Sequence, residues 1–284
     1  MTAAEAIREA TARLSATSDT ARLDAELLMA HALRVSRSDL LVRGLAVENW
    51  HAPEGFEALV DRRAACEPLA YIVGSAEFYG RPFRVTPDVL IPRPDSESVV
   101  DAALEAAPGA TRVLDLGTGS GALLIILLRK LPKATGVGID ASAAALEIAA
   151  ENALVNRHVA ERADFRLGDW TQAGWADDFG RFDLVICNPP YVEDDAELQR
   201  DVREYEPASA LFAGPEGLDD YRILIPQLPA LLTGDGVAVL EIGHTQAEAV
   251  GAIAAEAGFS VTLRQDLGGR PRALILSLDR GESR

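Results

Sequence analysis

The alternation of strand and helix patterns after residue 111 constrains the fold of this chain most strongly. The apolar runs in this region are short and rich in β-formers, and the stretches between them have helical spacing. This alternation predicts a parallel sheet with helices on both faces, and ligands of such sheets bind at the carboxyl ends of the strands. The predicted strands are Arg112–Leu116, Thr135–Asp140, Phe165–Leu167, Phe182–Cys187 and Val237–Ile242, followed by an antiparallel pair, Ser260–Leu263 and Ala273–Leu278.

Residues 1–75 have a different pattern and predict a small helical domain. Apolar positions recur at helical spacing over Ala3–Leu14, Asp19 or Thr20 is placed to cap a second helix that ends near Leu33, and Pro53 opens another. A core of this size is marginal by itself, so we expect the domain to dock on the rest of the chain or on a partner. Residues 76–91 predict a hairpin linker with Gly80 at its turn, and residues 92–284 a second, larger domain.

Composition narrows the class of protein. The formal net charge of −17 disfavours DNA or RNA as the main partner, because binding to nucleic acid relies on neutralising phosphates. The apolar runs are too short to span a bilayer, and the start of the chain lacks a signal peptide's apolar core. The chain has only two cysteines, Cys66 and Cys187, far apart in sequence, so we expect a cytoplasmic protein. We also expect a monomer, because no sequence feature requires a larger assembly. The four histidines show no ligand spacing, so we predict no metal.

A rigid turn, Asn188-Pro189-Pro190-Tyr191, follows the predicted strand Phe182–Cys187. Its two prolines fix φ and lack N–H donors, so neither a strand nor a helix can continue. Asn188 offers an amide side chain, Pro189 a backbone carbonyl and Tyr191 a flat ring. Two acceptors and a flat wall suit a planar substrate with an NH2 group. These three residues are therefore predicted to be catalytic and, with Pro190, to bind substrate; an ordinary turn capped by Asn188 is the alternative.

A glycine-rich loop follows the first predicted strand and contains Gly117, Thr118, Gly119, Ser120 and Gly121. Its glycines allow backbone N–H groups to approach a ligand closely. Asp140 ends the next strand, where a carboxylate can accept hydrogen bonds from ribose hydroxyls. The pattern predicts a cofactor that contains adenosine and fits both NAD and S-adenosylmethionine. A tight turn without any ligand also remains open.

Two features favour S-adenosylmethionine over NAD. Asp115 precedes the glycines, where it can hold the amino group of a methionyl moiety, and no residue set for hydride transfer is visible. The Asn188 turn would open at the same edge of the sheet, so the cofactor methyl group and the substrate nitrogen would meet beside Asn188. Asp169 and Trp170, after the third predicted strand, suit a hydrogen bond and a stack on adenine, with surface packing as the alternative.

These motifs resemble the class I S-adenosylmethionine-dependent methyltransferases that modify planar NH2 groups. Further stretches are similar to the release-factor glutamine methyltransferases. They are Pro68–Gly74, Ile91–Glu97, Glu206-Pro207 and Gly217–Arg222. The resemblance runs from about residue 20 to about residue 278, and the only departures are small ones, such as Ser120 and Ser96 where threonine is also common.

The resemblance implies an α/β fold: a Rossmann-like class I methyltransferase sheet with a small N-terminal helical domain joined by a β-hairpin linker. It also implies methylation of the glutamine in the Gly-Gly-Gln motif of peptide-chain release factors. The segment 192–220, irregular in pattern, could cover the substrate. Three rivals remain: an adenine-amino DNA methyltransferase, which uses the same turn on a flipped base, a NAD-dependent reductase and a non-enzymatic cofactor-binding module.

Overall fold

The computed structural model describes residues 1–45, 50–155 and 157–279, and the chain divides into two compact units. The first comprises Met1–Ser75 with Leu198–Tyr205, and the second comprises Ala76–Glu197 with Glu206–Arg284. The segment Leu198–Tyr205 thus belongs to the helical unit, although the sequence analysis placed it in the catalytic domain. Residues 46–49, 156 and 280–284 of the predicted domains lie outside the described residues.

The first unit is helical. Its helices are α1 (Ala3–Leu14), α2 (Ala21–Leu33), α3 (Arg37–Asp39), α4 (Phe56–Ala64) and α5 (Leu69–Val73), with a π-helix at Leu40–Leu45 and, from the later segment, α10 (Arg200–Tyr205). Thr2 begins α1 with a capping box, in which its hydroxyl accepts from the Glu5 N–H. Thr20 precedes α2, but its hydroxyl donates to Asp24 at 2.9 Å rather than capping the helix. The Asp24 carboxylate also accepts a hydrogen bond from the buried Arg63 guanidinium at 2.7 Å, and this ion pair joins α2 to α4.

The predicted hairpin is present as β1 (Ser75–Phe78) and β2 (Arg81–Arg84). Tyr79 and Gly80 form its turn, and both have positive φ, at 53° and 67°, as a type I′ turn requires. Phe78 and Phe83 pack edge to face with their ring centroids 6.1 Å apart. Both are buried in one of the core clusters of the second unit, so the hairpin is part of that unit's core.

The second unit is built on a seven-stranded sheet with the order β5-β4-β3-β6-β7-β9-β8. Its strands are β3 (Arg112–Leu116), β4 (Thr135–Asp140), β5 (Ala163–Leu167), β6 (Phe182–Cys187), β7 (Leu232–Glu241), β8 (Phe259–Gln265) and β9 (Pro271–Leu278). The first five are parallel, and β9 runs antiparallel to both β7 and β8. All seven predicted strands are confirmed, and three of them have the predicted bounds.

Helices cover both faces of this sheet. They are α6 (Glu97–Ala106), α7 (Ala122–Lys130), α8 (Ala143–Leu154), α9 (Arg157–Ala160), α11 (Asp219–Leu224), α12 (Leu228–Leu231) and α13 (Ala247–Glu256). Alternate strand residues face opposite layers: Leu184 and Ile186 lie in the cluster with α6 and α7, whereas Val185 and Cys187 lie in the cluster with α11 to α13. A strand buried on both faces reads as a continuous apolar run, which explains the sequence of β6.

The expectation for the segment after the Asn188 turn was wrong. The segment 192–220 is not irregular throughout, because it contains α10, a 3₁₀ turn at Ala208–Ala210 and the start of α11. A 3₁₀ turn at Pro94–Ser96 leads directly into α6. Among the residues described, no helix has both the length and the apolar character needed to cross a membrane.

Candidate active site

The carboxyl ends of β3, β4 and β6 open into one cavity of about 550 Å³ within the second unit. This volume lies in the range of roughly 300–1,000 Å³ that is typical of small-molecule sites. Nine of the predicted site residues line it: Gly117, Thr118, Gly119, Ser120, Asp140, Asp169, Trp170, Asn188 and Pro190. The other four, Asp115, Gly121, Pro189 and Tyr191, are close to lining residues in the chain but do not line the cavity themselves. The tertiary structure therefore brings the glycine loop and the proline turn to one site.

The glycine loop owes its shape to three left-handed residues. Gly117, Gly119 and Gly121 have φ values of 71°, 51° and 79°, which side chains other than glycine rarely adopt. A Cβ on Gly117 would lie 3.3 Å from the Trp170 ring, so the absence of a side chain keeps the loop close to this wall. A Cβ on Gly121 would instead lie 3.0 Å from Ile125 in α7. Gly121 therefore permits close helix packing rather than lining the cavity.

Asp140 connects the glycine loop to β4. One carboxylate oxygen accepts from the Gly119 N–H at 2.8 Å and the other from the Ser142 N–H at 2.9 Å. Each oxygen keeps a further acceptor position, so hydroxyl groups of a ligand can still bind there. Burial raises the pKa of this carboxyl above its ordinary value, and the backbone N–H groups of Ser142, Gly119 and Ala141 oppose that rise.

Asp115 lies at the end of β3, fully buried beneath the glycine loop. Its Oδ2 accepts from the Thr118 hydroxyl at 2.7 Å, whereas its Oδ1 has no hydrogen-bond partner among the described residues. Burial raises the pKa of Asp115 to about 7. A buried carboxyl with an unpaired oxygen is costly, and a cationic amino group of a ligand would offset that cost. The site thus fits a cofactor that carries an ammonium group.

Trp170 forms a flat wall beside Gly117. Its indole Nε1 donates to Asp220 Oδ1 at 2.8 Å, and its backbone carbonyl accepts from the Gln227 amide at 3.1 Å. These two bonds fix the orientation of the residue. Asp169 is engaged locally, because its carboxylate accepts from both the N–H and the hydroxyl of Thr171, and these bonds lower its pKa. The sequence analysis missed the role of Asp220, which lines the cavity as well.

The Asn188 turn is held in place by residues from three other parts of the chain. The Tyr191 N–H donates to the Leu211 carbonyl at 3.2 Å, and the Gln246 amide donates to the Tyr191 carbonyl at 3.0 Å. The Tyr191 hydroxyl donates to Glu241 Oε1 at 3.3 Å. The sequence analysis missed Glu241 and Gln246, although Glu241 ends β7 and so lies at the edge of the sheet where ligands bind.

Cys187, directly before the turn, is completely buried. Burial raises the pKa of its thiol well above the ordinary value, so the thiol stays protonated and poorly reactive. In the parts of the chain that the structure describes, no group of three or more His, Cys, Asp or Glu is arranged to hold a metal ion.

Comparisons with known proteins agree with this geometry. The profile of the PrmC N-terminal domain matches residues 5–74, and that of a methyltransferase domain matches residues 109–216. A release factor glutamine methyltransferase from Cereibacter sphaeroides is 44% identical over 282 residues, which cover 98% of this chain and 99% of the relative. Another from Geobacter sulfurreducens is 42% identical and covers 85% of this chain and 84% of the relative.

The chain belongs to the release factor glutamine methyltransferases. This membership confirms the predicted family and the prediction of an enzyme, and it does not favour the DNA-methylating alternative. A solved methyltransferase structure from Pyrococcus furiosus, 18% identical, aligns with a TM-score of 0.50 over 78% of this chain and 96% of that one. This similarity concerns the fold alone, and it agrees with the Rossmann-like sheet of this methyltransferase.

The cavity of this release factor glutamine methyltransferase has a second wall, formed by two stretches on which the resemblance was based. Pro92 and Arg93 line it from one stretch, and Pro207 lines it from the other. The two stretches are joined through the buried Glu206, whose carboxylate pairs with Arg93 and accepts from the Ile91 N–H at 3.2 Å. The opening therefore has the cofactor-type loops on one side and a proline-stiffened, arginine-bearing wall on the other.

Proposed function

We propose that this chain transfers a methyl group from S-adenosylmethionine to the side-chain amide nitrogen of the glutamine in the Gly-Gly-Gln motif of peptide-chain release factors. One observation carries the proposal: the glycine loop and the Asn188 turn line the same cavity. A methyl donor in the loop and an amide at the turn would then lie side by side. The substrates named for the curated relatives support the same reaction.

In this proposal the cofactor is held by the residues around the glycine loop. S-adenosylmethionine supplies a methyl group on a positively charged sulfur. Asp115 pairs with its amino group, Asp140 accepts from its ribose hydroxyls, and the Trp170 ring packs on its adenine. The backbone from Gly117 to Gly121 lets the ligand approach closely, because these residues have little or no side-chain bulk. Asp169 and Asn188 border the same space.

The Asn188 turn orients the substrate amide. An amide nitrogen is a poor nucleophile, because its lone pair is delocalised into the carbonyl. The Asn188 side-chain oxygen and the Pro189 carbonyl each accept one N–H, which aims the nitrogen at the methyl group and stabilises the positive charge that develops on it. Tyr191 supports the amide plane, and Pro190 stiffens the turn. Pro189 and Tyr191 do not line the cavity, so their roles rest on the motif.

The remaining parts of the chain serve the protein substrate in this proposal. The wall that contains Arg93 and Pro207 receives the peptide on either side of the glutamine. Residues 1–75 form the substrate-docking domain, residues 76–91 the linker and residues 92–284 the catalytic domain. Release factors act in translation, so we expect the enzyme to work in the cytoplasm, as a monomer without nucleic acid.

A labelling experiment tests the proposal. The chain is incubated with isotopically labelled S-adenosylmethionine and, in parallel, with a purified release factor, with the same factor carrying glutamate in place of the motif glutamine, with duplex DNA, or with no substrate. Peptide mass spectrometry then locates the label. We expect label only on the motif glutamine of the unmodified factor. Label on adenine, or no label on any release factor, would refute the proposal.

A further inference from the structure

The carboxylate of Glu241 lies behind the Asn188 turn and is only 1% exposed. It is the last residue of β7, and its backbone is fixed because its carbonyl accepts from the buried Tyr221 hydroxyl at 2.6 Å. Oε1 accepts from the Tyr191 hydroxyl at 3.3 Å. Oε2 has no hydrogen-bond partner among the described residues. The side chain therefore makes one hydrogen bond, and that bond is to the turn.

The neighbours of Glu241 do not account for its burial. The nearby Arg272 guanidinium is held by Asp95 at 2.9 Å and by Asp266 at 3.5 Å, with no ion pair to Glu241. The Ser96 hydroxyl lies beside the carboxylate and lowers its pKa, although its geometry falls short of a hydrogen bond to any of the described residues. Within the described residues the Glu241 carboxylate thus has no direct ion pair and one oxygen without a hydrogen bond, although Ser96 and the nearby Arg272 charge oppose the rise in pKa that burial causes.

A buried carboxylate of this kind does not stabilise the folded chain. Removing an ionised group from water is costly, and an apolar side chain of similar volume is often as stable or more stable at such a position. Leucine at residue 241 would extend the apolar strand that β7 already forms. The position holds a glutamate instead, and its single hydrogen bond leads to the motif that orients the substrate.

We propose that Glu241 is a positioning residue for methyl transfer, which holds the Tyr191 hydroxyl and thereby fixes the tyrosine ring behind the substrate amide. The inference rests on the proposed function. Tyr191 is then held at its backbone and at the end of its side chain, since the Gln246 amide donates to the Tyr191 carbonyl and Glu241 accepts from the Tyr191 hydroxyl. A fixed ring limits the orientations of the amide, and small errors of position at a reacting centre lower turnover strongly.

Four variants test the inference in the full-length chain: Glu241→Leu, Glu241→Gln, Tyr191→Phe and the double variant Tyr191→Phe/Glu241→Leu. We expect Glu241→Leu to lower kcat on the order of tenfold, since one orienting hydrogen bond is lost, with the KM for S-adenosylmethionine almost unchanged. Glu241→Gln keeps an acceptor oxygen and should retain most of the turnover. The double variant should be no slower than the slower single variant, because both changes remove the same bond.

Thermal unfolding of each variant separates this role from a structural one. If the role of Glu241 were purely structural, Glu241→Leu would lower the melting temperature. The losses of kcat in Glu241→Leu and Tyr191→Phe would then multiply in the double variant. Either that pattern or unchanged kcat in Glu241→Leu would overturn the inference. Failure of the proposed function has a different signature, because the wild-type chain itself would then leave release factors unlabelled.

Discussion

The glycine loop after β3 and the proline turn after β6 follow adjacent strands, but they are held in different ways. The conformation of the loop comes from its own residues, through positive φ at Gly117 and Gly119. Its outside contacts come from the neighbouring strand β4 and helix α8: Asp140 accepts from the Gly119 N–H, and the Asn152 amide donates to the Ser120 carbonyl at 2.9 Å. The turn is stiff because of its prolines, yet its position depends on contacts with Leu211, Glu241 and Gln246. The backbone conformation of the glycine loop is thus encoded locally, whereas the position of the turn depends on distant segments.

The largest effect should follow from Asn188→Ala, which removes an acceptor from the substrate side alone. We expect turnover to fall by about 10²–10³, as when one donor is lost from an oxyanion hole. Cofactor affinity should stay within a few fold, because the glycine loop does not depend on this side chain for its shape. Single-turnover rates and isothermal titration with S-adenosylmethionine measure the two quantities. Equal losses of turnover and of affinity for S-adenosylmethionine would show that the glycine loop and the Asn188 turn do not function separately.

Asp115→Asn tests the buried carboxyl beneath the glycine loop through the pH dependence of stability. The pKa of Asp115 is about 7 in the folded chain and 3.8 ordinarily. Between these values the folded state holds a proton that the unfolded state has lost, so stability falls as pH rises. Relative to Asp115→Asn, the wild type should lose about 1.4 kcal/mol of unfolding free energy per pH unit in this window.

Urea unfolding of both chains without cofactor, at several pH values from 4.5 to 8 (about one unit apart), measures this difference. Above about pH 7 the difference should level off, because the carboxyl is then ionised in both states. A difference that is constant across the whole range would contradict the raised pKa and would leave Asp115 without the unpaired charge that a ligand ammonium would neutralise.

Gly121→Ala tests whether the loop is shaped by its own backbone. Gly121 has φ of 79°, and an added Cβ would lie 3.0 Å from Ile125 and 3.1 Å from the Ala149 side chain. We expect the unfolding free energy to fall by about 2–3 kcal/mol through strain and crowding. Gly258→Ala is the matched control, since φ there is 84° with no atom within 4 Å of the new Cβ. Similar losses in both variants would exclude the crowding contribution.

The smallest effect should come from Trp170→Phe, which keeps a flat ring but loses the hydrogen bond to Asp220. A loss of about 1 kcal/mol corresponds to roughly fivefold weaker binding of S-adenosylmethionine. Trp50→Phe is the control, because that tryptophan belongs to the first unit and does not line the cavity. If both variants bind the cofactor alike, Trp170 is a packing residue rather than part of the cofactor wall.

The strands of the second unit were predictable because each contains a short stretch rich in apolar and β-branched residues, set in an alternating strand and helix pattern. β3, β4 and β6 have the predicted bounds, whereas β7 begins at Leu232, five residues before the predicted start. Thr233 to Gly236 are polar or glycine and give no strand signal, so their pairing is a tertiary effect. The helix in the segment after Tyr191 was missed for a related reason, since α10 is short and its residues pack within the first unit: the Tyr205 hydroxyl donates to the Ala65 carbonyl.

The site divides along the same line. Nine residues proposed from sequence line the cavity because they follow directly from strand ends, a position that the chain pattern identifies. Asp220, Glu241 and Gln246 were missed because each acts on a residue 50 to 55 positions earlier in the chain. A single sequence carries no signal of such pairings.

By itself, the sequence determined the alternation of strands and helices, the glycine loop and the stiff Asn188 turn. Apolar periodicity, positive φ and proline geometry are local properties of the chain. Only the tertiary structure decided that the two loops share one cavity and that a buried glutamate holds the tyrosine of the turn. Those arrangements depend on the strand order, which places β3 beside β6 and β6 beside β7, and on hydrogen bonds that form only once these strands are paired.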